Sequence, residues 1–334
     1  MSLKSPCFFG VQETEGTYEI SIELTNECNL KCKHCMNRSK IEDEICGLSD
    51  DELDVLIEEF VDNNVEEVYI TGGEPTLHPY FFEFVRKLHD NNILVLLATN
   101  AYEIPDGFEL IKEKVSGIFV SIDGDQPTHD SFRGVNGAYQ KTMDNIKRYI
   151  AWGLPVRIST VVSSDNINSL ESIIENVKAM GVYEIHFTIL VNVGRAKESF
   201  GQVDNRTYYD MVRKIHQLRD KYAEGGFAIT MRRDGKLGIE TDRCYGGERM
   251  AHITATGLVA PCSYVAKCNL AAMYCKAWEP GTLEECLEKV KSFQDLCDER
   301  KKAFGHSSCA AMATMNDKTD PLSKDPLDVI FEDE

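Results

Sequence analysis

At 334 residues with 43% apolar residues, the chain can build one large α/β domain with an appendage, or two modest domains. Its 55 acidic against 36 basic residues leave a net charge of −19, a field that repels phosphate backbones and argues against a nucleic-acid partner. No stretch approaches the ~18 apolar residues of a membrane span, and MSLKSPCFFGVQETEG lacks a cleavable apolar segment, so a cytoplasmic protein with no membrane partner is expected.

Tyr18–Thr25, YEISIELT, reads as a first strand, and a loop carrying Cys28, Cys32 and Cys35 follows it. LSDDELDVLIEEFVDNN opens on a Ser49/Asp50 capping signal and sets Leu53, Leu56, Ile57, Phe60 and Val61 at helical spacing. The alternation continues with strand EEVYIT, helix YFFEFVRKLHDNN, strand ILVLLAT, short helix FELIKEKV and strand GIFVSID. Helix YQKTMDNIKRYIAWG, strand PVRISTVV, helix NSLESIIENVKAMG and strand EIHFTIL complete it. Apolar runs without strict alternation suit strands buried on both faces of a parallel sheet. The expected class is therefore α/β, with six β/α units over residues 18–200 as an open doubly wound sheet or a partial barrel. In either form the loops after the strands share one rim, which brings together the cysteine loop, TGGEP, TNA and SIDGD.

Beyond residue 200 the pattern changes. NRTYYDMVRKIHQLRDKYAEG reads as a helix, and AHITATGLVAPCS as a hairpin turning at Thr256–Gly257. TLEECLEKVKSFQDLCDERKKAFG reads as one helix from Thr282, which would put Cys286 and Cys297 on one face as core residues. Seven of the twelve cysteines lie between residues 227 and 313, and an intracellular setting favours metal or redox chemistry over disulfides for them. The acidic, Pro-punctuated segment 316–334 is expected to be a loosely held tail. Cys7 and Cys46 fall outside every motif.

Cys28-x3-Cys32-x2-Cys35 supplies three thiols from one loop. Two metals suit them: a closed tetrahedral zinc with a fourth ligand from elsewhere, or a [4Fe–4S] cluster with one iron left open. Spacing alone does not choose. The same spacing just after a first strand, with Gly72-Gly73-Glu74-Pro75 after the second, resembles the radical S-adenosylmethionine (SAM) superfamily across residues 18–200. That resemblance implies a partial (β/α)6 barrel in which Cys28, Cys32 and Cys35 hold the catalytic [4Fe–4S] cluster and SAM chelates the open iron. It implies reductive cleavage of SAM to a 5′-deoxyadenosyl radical that takes a hydrogen atom from substrate, with an external electron donor such as flavodoxin or ferredoxin.

Carried over position by position, the resemblance gives Thr71, Gly72, Gly73 and Glu74 to the SAM ammonium. Ser121 and Asp123 match ribose-binding positions, Arg133 matches the partner of the SAM carboxylate, and His34 lies where a side chain often approaches the adenine. Thr99 and Asn100 would line the same rim.

Cys244-x12-Gly257-x4-Cys262 resembles the opening of the auxiliary-cluster unit in the SPASM and twitch branches. It implies a cysteine-rich α+β extension over residues 201–315 with a second [4Fe–4S] cluster, held by Cys244, Cys262, Cys309 and a fourth ligand. Cys268 is the first expectation for that ligand and His306 the second. The compact C-x2-C-x5-C-x3-C run of two-cluster versions is missing here. Enzymes of this branch commonly crosslink, epimerise or oxidise ribosomally made peptides, and that is the expected role. Only 27 residues precede Cys28, so no winged-helix peptide-recognition unit is expected before it. The alternative is a small-molecule oxidoreductase that dehydrogenates an alcohol or carries out a tetrapyrrole-type modification.

Overall fold

The computed structural model describes residues 17–39, 46–201, 203–222, 226–231, 244–304, 309–315 and 320–322. Among these residues the strands are β1 (Tyr18–Glu23), β2 (Val65–Thr71), β3 (Leu94–Thr99), β4 (Gly117–Ser121), β5 (Val156–Val162), β6 (Glu184–Ile189), β7 (Ala228–Met231), β8 (Met250–Ile253), β9 (Leu258–Ala260) and β10 (Lys276–Ala277). The helices are α1 (Asp50–Asp62), α2 (Phe81–Asp90), α3 (Gln126–Arg133), α4 (Ala138–Ala151), α5 (Leu170–Ala179), α6 (Ala196–Ser199), α7 (Asn205–Tyr222), α8 (Ala271–Tyr274), α9 (Leu283–Lys291), α10 (Phe293–Phe304) and α11 (Ala310–Met315). None of the helices is long and apolar enough to cross a membrane.

All ten strands form one open sheet in the order β10-β9-β8-β1-β2-β3-β4-β5-β6-β7. The pairs from β1 through β6 are parallel, as the six β/α units require. The sheet is not closed, which is the partial barrel. Ile20 and Ile22 of β1, with Val68 and Ile70 of β2, share one core with Leu53, Leu56, Ile57 and Phe60 of α1. The α1 start is a capping box, with Ser49 Oγ accepting from the Glu52 amide and the Glu52 carboxylate accepting from the Ser49 amide.

Three expectations needed correction. The sheet does not end at residue 200: β7 adds to β6 in parallel, and β8 adds to β1 in parallel with Ile22 opposite Ile253. The cysteine-rich segment therefore enters the barrel sheet instead of standing beside it. FELIKEKV forms two 3-10 turns, Phe108–Leu110 and Lys112–Lys114, because Val115 must already be extended two residues before β4 begins. The long C-terminal helix is two helices meeting at Ser292. There Ser292 Oγ donates to the Lys289 carbonyl, and a Cβ on Gly247 would lie 2.2 Å from the Val290 oxygen, so a second chain segment packs against the last turn of the first helix.

The hairpin β8–β9 turns through Gly257 at φ 75°, with His252 opposite Ala260. Of the acidic tail only residues 320–322 are described, and there the buried Arg300 donates to the Pro321 carbonyl.

Candidate active site

The cysteine loop leaves β1 at Glu23 and is held from four sides by other strand-end loops. From β2, the Gly73 amide donates to Thr25 O at 2.7 Å and the Glu74 amide to Glu27 O at 2.7 Å. This approach explains both glycines: a Cβ on Gly72 (φ 143°) would lie 2.5 Å from Thr25 O, and one on Gly73 only 1.9 Å from Glu27 O. The glycines thus admit the cysteine loop's own backbone. From β3, Asn100 Nδ2 reaches Asn29 Oδ1 at 2.8 Å and lies 3.9 Å from Cys28 Sγ. From the end of α3, the carbonyls of Phe132 and Arg133 accept from the Lys33 and Lys31 amides. From β6, Arg195 Nε donates to Cys32 O at 2.8 Å and its amide to Cys35 O at 3.0 Å.

The side chains expected to touch SAM are placed more specifically. Glu74 is 1% exposed, and its carboxylate accepts from Thr76 Oγ1 (2.7 Å), Thr99 Oγ1 (2.9 Å) and the Asn100 amide (2.9 Å). Its carboxylate ties the β2 loop to the β3 loop. Burial raises its pKa above the usual carboxylate range, and hydrogen bonds from the Asn100 amide, Thr76 and Thr99 oppose that. Thr71 ends β2 opposite Glu23.

Asp123 is fully buried among protein partners. Its Oδ2 lies 2.6 Å from Arg133 Nη2 and 3.5 Å from His34 Nε2, and its Oδ1 accepts from the Val161 amide at 3.0 Å. Burial works against its charge, but Arg133, His34 and His129 together hold the carboxyl below the usual range. Arg133 turns its other face to the cluster loop, with Nη1 3.7 Å from Cys32 Sγ. Ser121 is half-buried at the end of β4 opposite Ser159. His34 packs on Phe132 and is held neutral, its pKa brought down to about 4 by burial and by Arg133 and Arg195, against Asp123.

The loop's donor set suits an iron–sulfur cluster. Burial pushes Cys28 up to about 12, and it also raises Cys32 against the pull of Arg133. Four polar atoms tied to this loop or its neighbours, His34 Nδ1, Asn37 Oδ1, Arg133 Nε and Arg195 Nη2, are buried without a protein partner. Buried polar atoms normally have partners, so their gathering here fits a polar ligand such as SAM. Among the described residues no three His, Cys, Asp or Glu side chains are drawn tightly enough to clasp a single ion. A four-iron cubane, whose thiolates sit on separate corners, does not require that.

The second thiol group forms around the hairpin. A Cβ on Gly246 would lie 3.5 Å from Cys244 Sγ, 3.3 Å from Pro261 O and 3.7 Å from the Phe293 ring, so the segments bearing Cys244, Cys262 and the start of α10 converge. Gln294 Nε2 fastens them by donating to Cys244 O at 3.0 Å and Gly246 O at 2.6 Å. The break at Ser292 separates the two cysteines expected on one core face. Cys286 stays in the core, its Sγ 3.7 Å from Ala277 O. Cys297 instead hydrogen-bonds Cys244 and faces Cys309 and Cys262; that bond and burial push its thiol far up. Cys268 neighbours Cys309 and Cys275. His306 and Cys7 lie outside the described residues.

Sequence reading assigned Cys297 to the core and did not single out Arg195. The only signal for Arg195 was its place, VNVGRA, on the shared rim just after the sixth strand.

The family model for the radical SAM superfamily matches residues 22–177. The AdoMet-dependent heme synthase of Methanosarcina barkeri is 31% identical over 323 residues, spanning 88% of this chain and 92% of that protein. The sporulation killing factor maturation protein SkfB of Bacillus subtilis is 27% identical over 252 residues, spanning 72% of this chain and 59% of that protein. The solved structure of native anSMEcpe with bound AdoMet and Kp18Cys peptide shares the fold, with a TM-score of 0.72 at 17% identity over 95% of each chain. With a three-thiol loop clamped at the rim of an open parallel barrel, and kinship along nearly the whole length of a known relative, the chain belongs to the radical SAM superfamily and is a radical SAM enzyme.

Proposed function

We propose that Cys28, Cys32 and Cys35 hold the SAM-binding [4Fe–4S] cluster, and that Cys244, Cys262, Cys297 and Cys309 hold an auxiliary one. When bound, the first cluster and SAM supply the 5′-deoxyadenosyl radical that takes a hydrogen atom from substrate. With the Glu74 carboxylate committed to Thr76, Thr99 and Asn100, the backbone carbonyls of Thr71–Gly73 are the acceptors for the SAM ammonium. Arg133 keeps its Nε for the SAM carboxylate, and the Ser121 hydroxyl serves the ribose. The observation that carries the reading is the clamped three-thiol loop with its ring of unpartnered polar atoms. A small external electron carrier such as flavodoxin or ferredoxin delivers the electron.

For the substrate, similarity to a heme synthase across nearly the full length of both chains supports a tetrapyrrole. The second reading, maturation of a ribosomally made peptide, draws support from SkfB, although the chain spans only 59% of that protein. Anaerobic reconstitution tests the cofactors: about eight irons and dithionite-dependent 5′-deoxyadenosine are expected. Colourless protein with stoichiometric zinc would end the reading, and about four irons would remove the auxiliary cluster alone. Mass spectrometry after incubation with an iron porphyrin, and separately with a short precursor peptide encoded beside the gene, decides between the substrates.

A further inference from the structure

The loop between β6 and α6 carries Gly194 and Arg195, and Arg195 grips the cysteine loop by its main chain. Its amide donates to Cys35 O at 3.0 Å, its Nε to Cys32 O at 2.8 Å and its Nη1 to Ser39 O at 2.7 Å. One residue therefore fixes the carbonyls of two thiol-bearing residues and the loop's far end. The approach demands glycine before it: Gly194 sits at φ 59°, and a Cβ there would lie 2.3 Å from Cys35 O and 2.4 Å from Met36 O. A planar guanidinium holds several acceptors in fixed directions, which a lysine ammonium on a flexible stem does not.

The charge of Arg195 differs from that of its neighbour. Arg133 has Asp123 at 2.6 Å, and the pair nearly cancels. Among the described residues no carboxylate forms an ion pair with Arg195, and its Nη2 is buried without a partner. Three thiolates on a [4Fe–4S] core give a net anion, which gains one more negative charge on reduction. An uncancelled cation held against two of the ligand residues favours the reduced state.

We propose that Arg195 is a positioning residue for the cysteine loop and the charge that raises the reduction equilibrium of its cluster. This rests on the cluster assignment above. The fork sets the spacing of Cys32 and Cys35, and the cation offsets the added electron.

The test uses the full-length protein, reconstituted without oxygen, as Arg195→Gln and Arg195→Lys. The readouts are EPR-monitored redox titration of the signal that responds to SAM, and hydrogen exchange of amides 28–39. Arg195→Gln should lower the reduction equilibrium constant about tenfold, which is ~59 mV for one electron, and speed loop exchange about tenfold. Arg195→Lys should keep the potential within about twofold in that constant while still loosening the loop, since it preserves charge and loses the fork. A potential in Arg195→Gln within twofold of the parent overturns the charge role, and unchanged exchange in both variants overturns the brace. Should Arg195→Gln take up no iron, Arg195→Lys decides: exchange equal to the parent's overturns the brace, and a reduction constant shifted beyond twofold overturns the charge role. A parent protein with no SAM-responsive signal would instead refute the cluster assignment itself.

Discussion

Replacing Asp123 by Asn tests whether the buried ion pair at the cluster loop is the polar core of the site. The change keeps an oxygen that can accept from the Val161 amide, so the loss falls on the charge partner of Arg133, 2.6 Å away. Both side chains are buried, at 0% and 8% exposure, and removing one member of such a pair typically costs 3–5 kcal/mol because the other is left uncompensated in a poorly solvated site. About 3 kcal/mol is expected in the metal-free protein, since the Asn amide keeps one bond. In the iron-loaded protein the loss should be smaller, because the Cys32 sulfur, 3.7 Å from Arg133 Nη1, stays anionic and takes over as partner. Adding Arg133→Met to Asp123→Asn should recover much of the stability, as removal of both charges leaves nothing to compensate. Urea denaturation of all three proteins, with and without iron, measures this. Stability within about 0.5 kcal/mol of the parent for Asp123→Asn, or no recovery in the double variant, would refute the reasoning.

The pH response of the same contact follows from its direction. Asp123 is held below the ordinary carboxylate range in the fold, so its contribution is present above about pH 4 and lost as pH falls through the lower folded value. Glu67 behaves oppositely: burial and the facing Glu19 push it to about 9, so stability is lost progressively as pH rises from about 4.5 to 9. Glu67→Gln should therefore stabilise the protein by about 3 kcal/mol at pH 7 and flatten its stability–pH curve; an unchanged curve would count against the burial argument. Cys297→Ser should remove the iron of the auxiliary cluster while Cys268→Ser retains it, as read by iron content; the reverse outcome would restore Cys268 as the ligand. Glu59 on α1 accepts from Trp278 Nε1, the Gly281 amide and the Leu283 amide at the start of α9. Glu59→Ala should cost about 2–4 kcal/mol and loosen that junction, seen in tryptophan fluorescence during denaturation.

Much of the barrel was legible because its signals are local. The Ser49 cap with Glu52, the apolar stripe of α1 and the strand-sized apolar runs each depend on residues a few positions apart. Rim placement followed as well, since loops after parallel strands must share one end of the sheet. The three-thiol loop and TGGEP were therefore readable together. Their internal accounting was not: the strand order did not reveal that the two glycines admit Thr25 and Glu27 backbone, or that Glu74 spends its carboxylate on Thr76, Thr99 and Asn100.

The sequence by itself determined the α/β alternation, the common rim, the three-thiol centre and the hairpin turning at Gly257, all set by spacing and by backbone needs within short segments. Only the tertiary structure decided that β7 and β8 extend the sheet, that Asp123 pairs with Arg133, that Arg195 grips the cysteine loop, and that Cys297 turns away from Cys286 toward Cys244. Each of these depends on contacts between residues far apart in the chain. The helix period that would have kept Cys286 and Cys297 together yields at Ser292, where Gly247 is packed against the Val290 carbonyl.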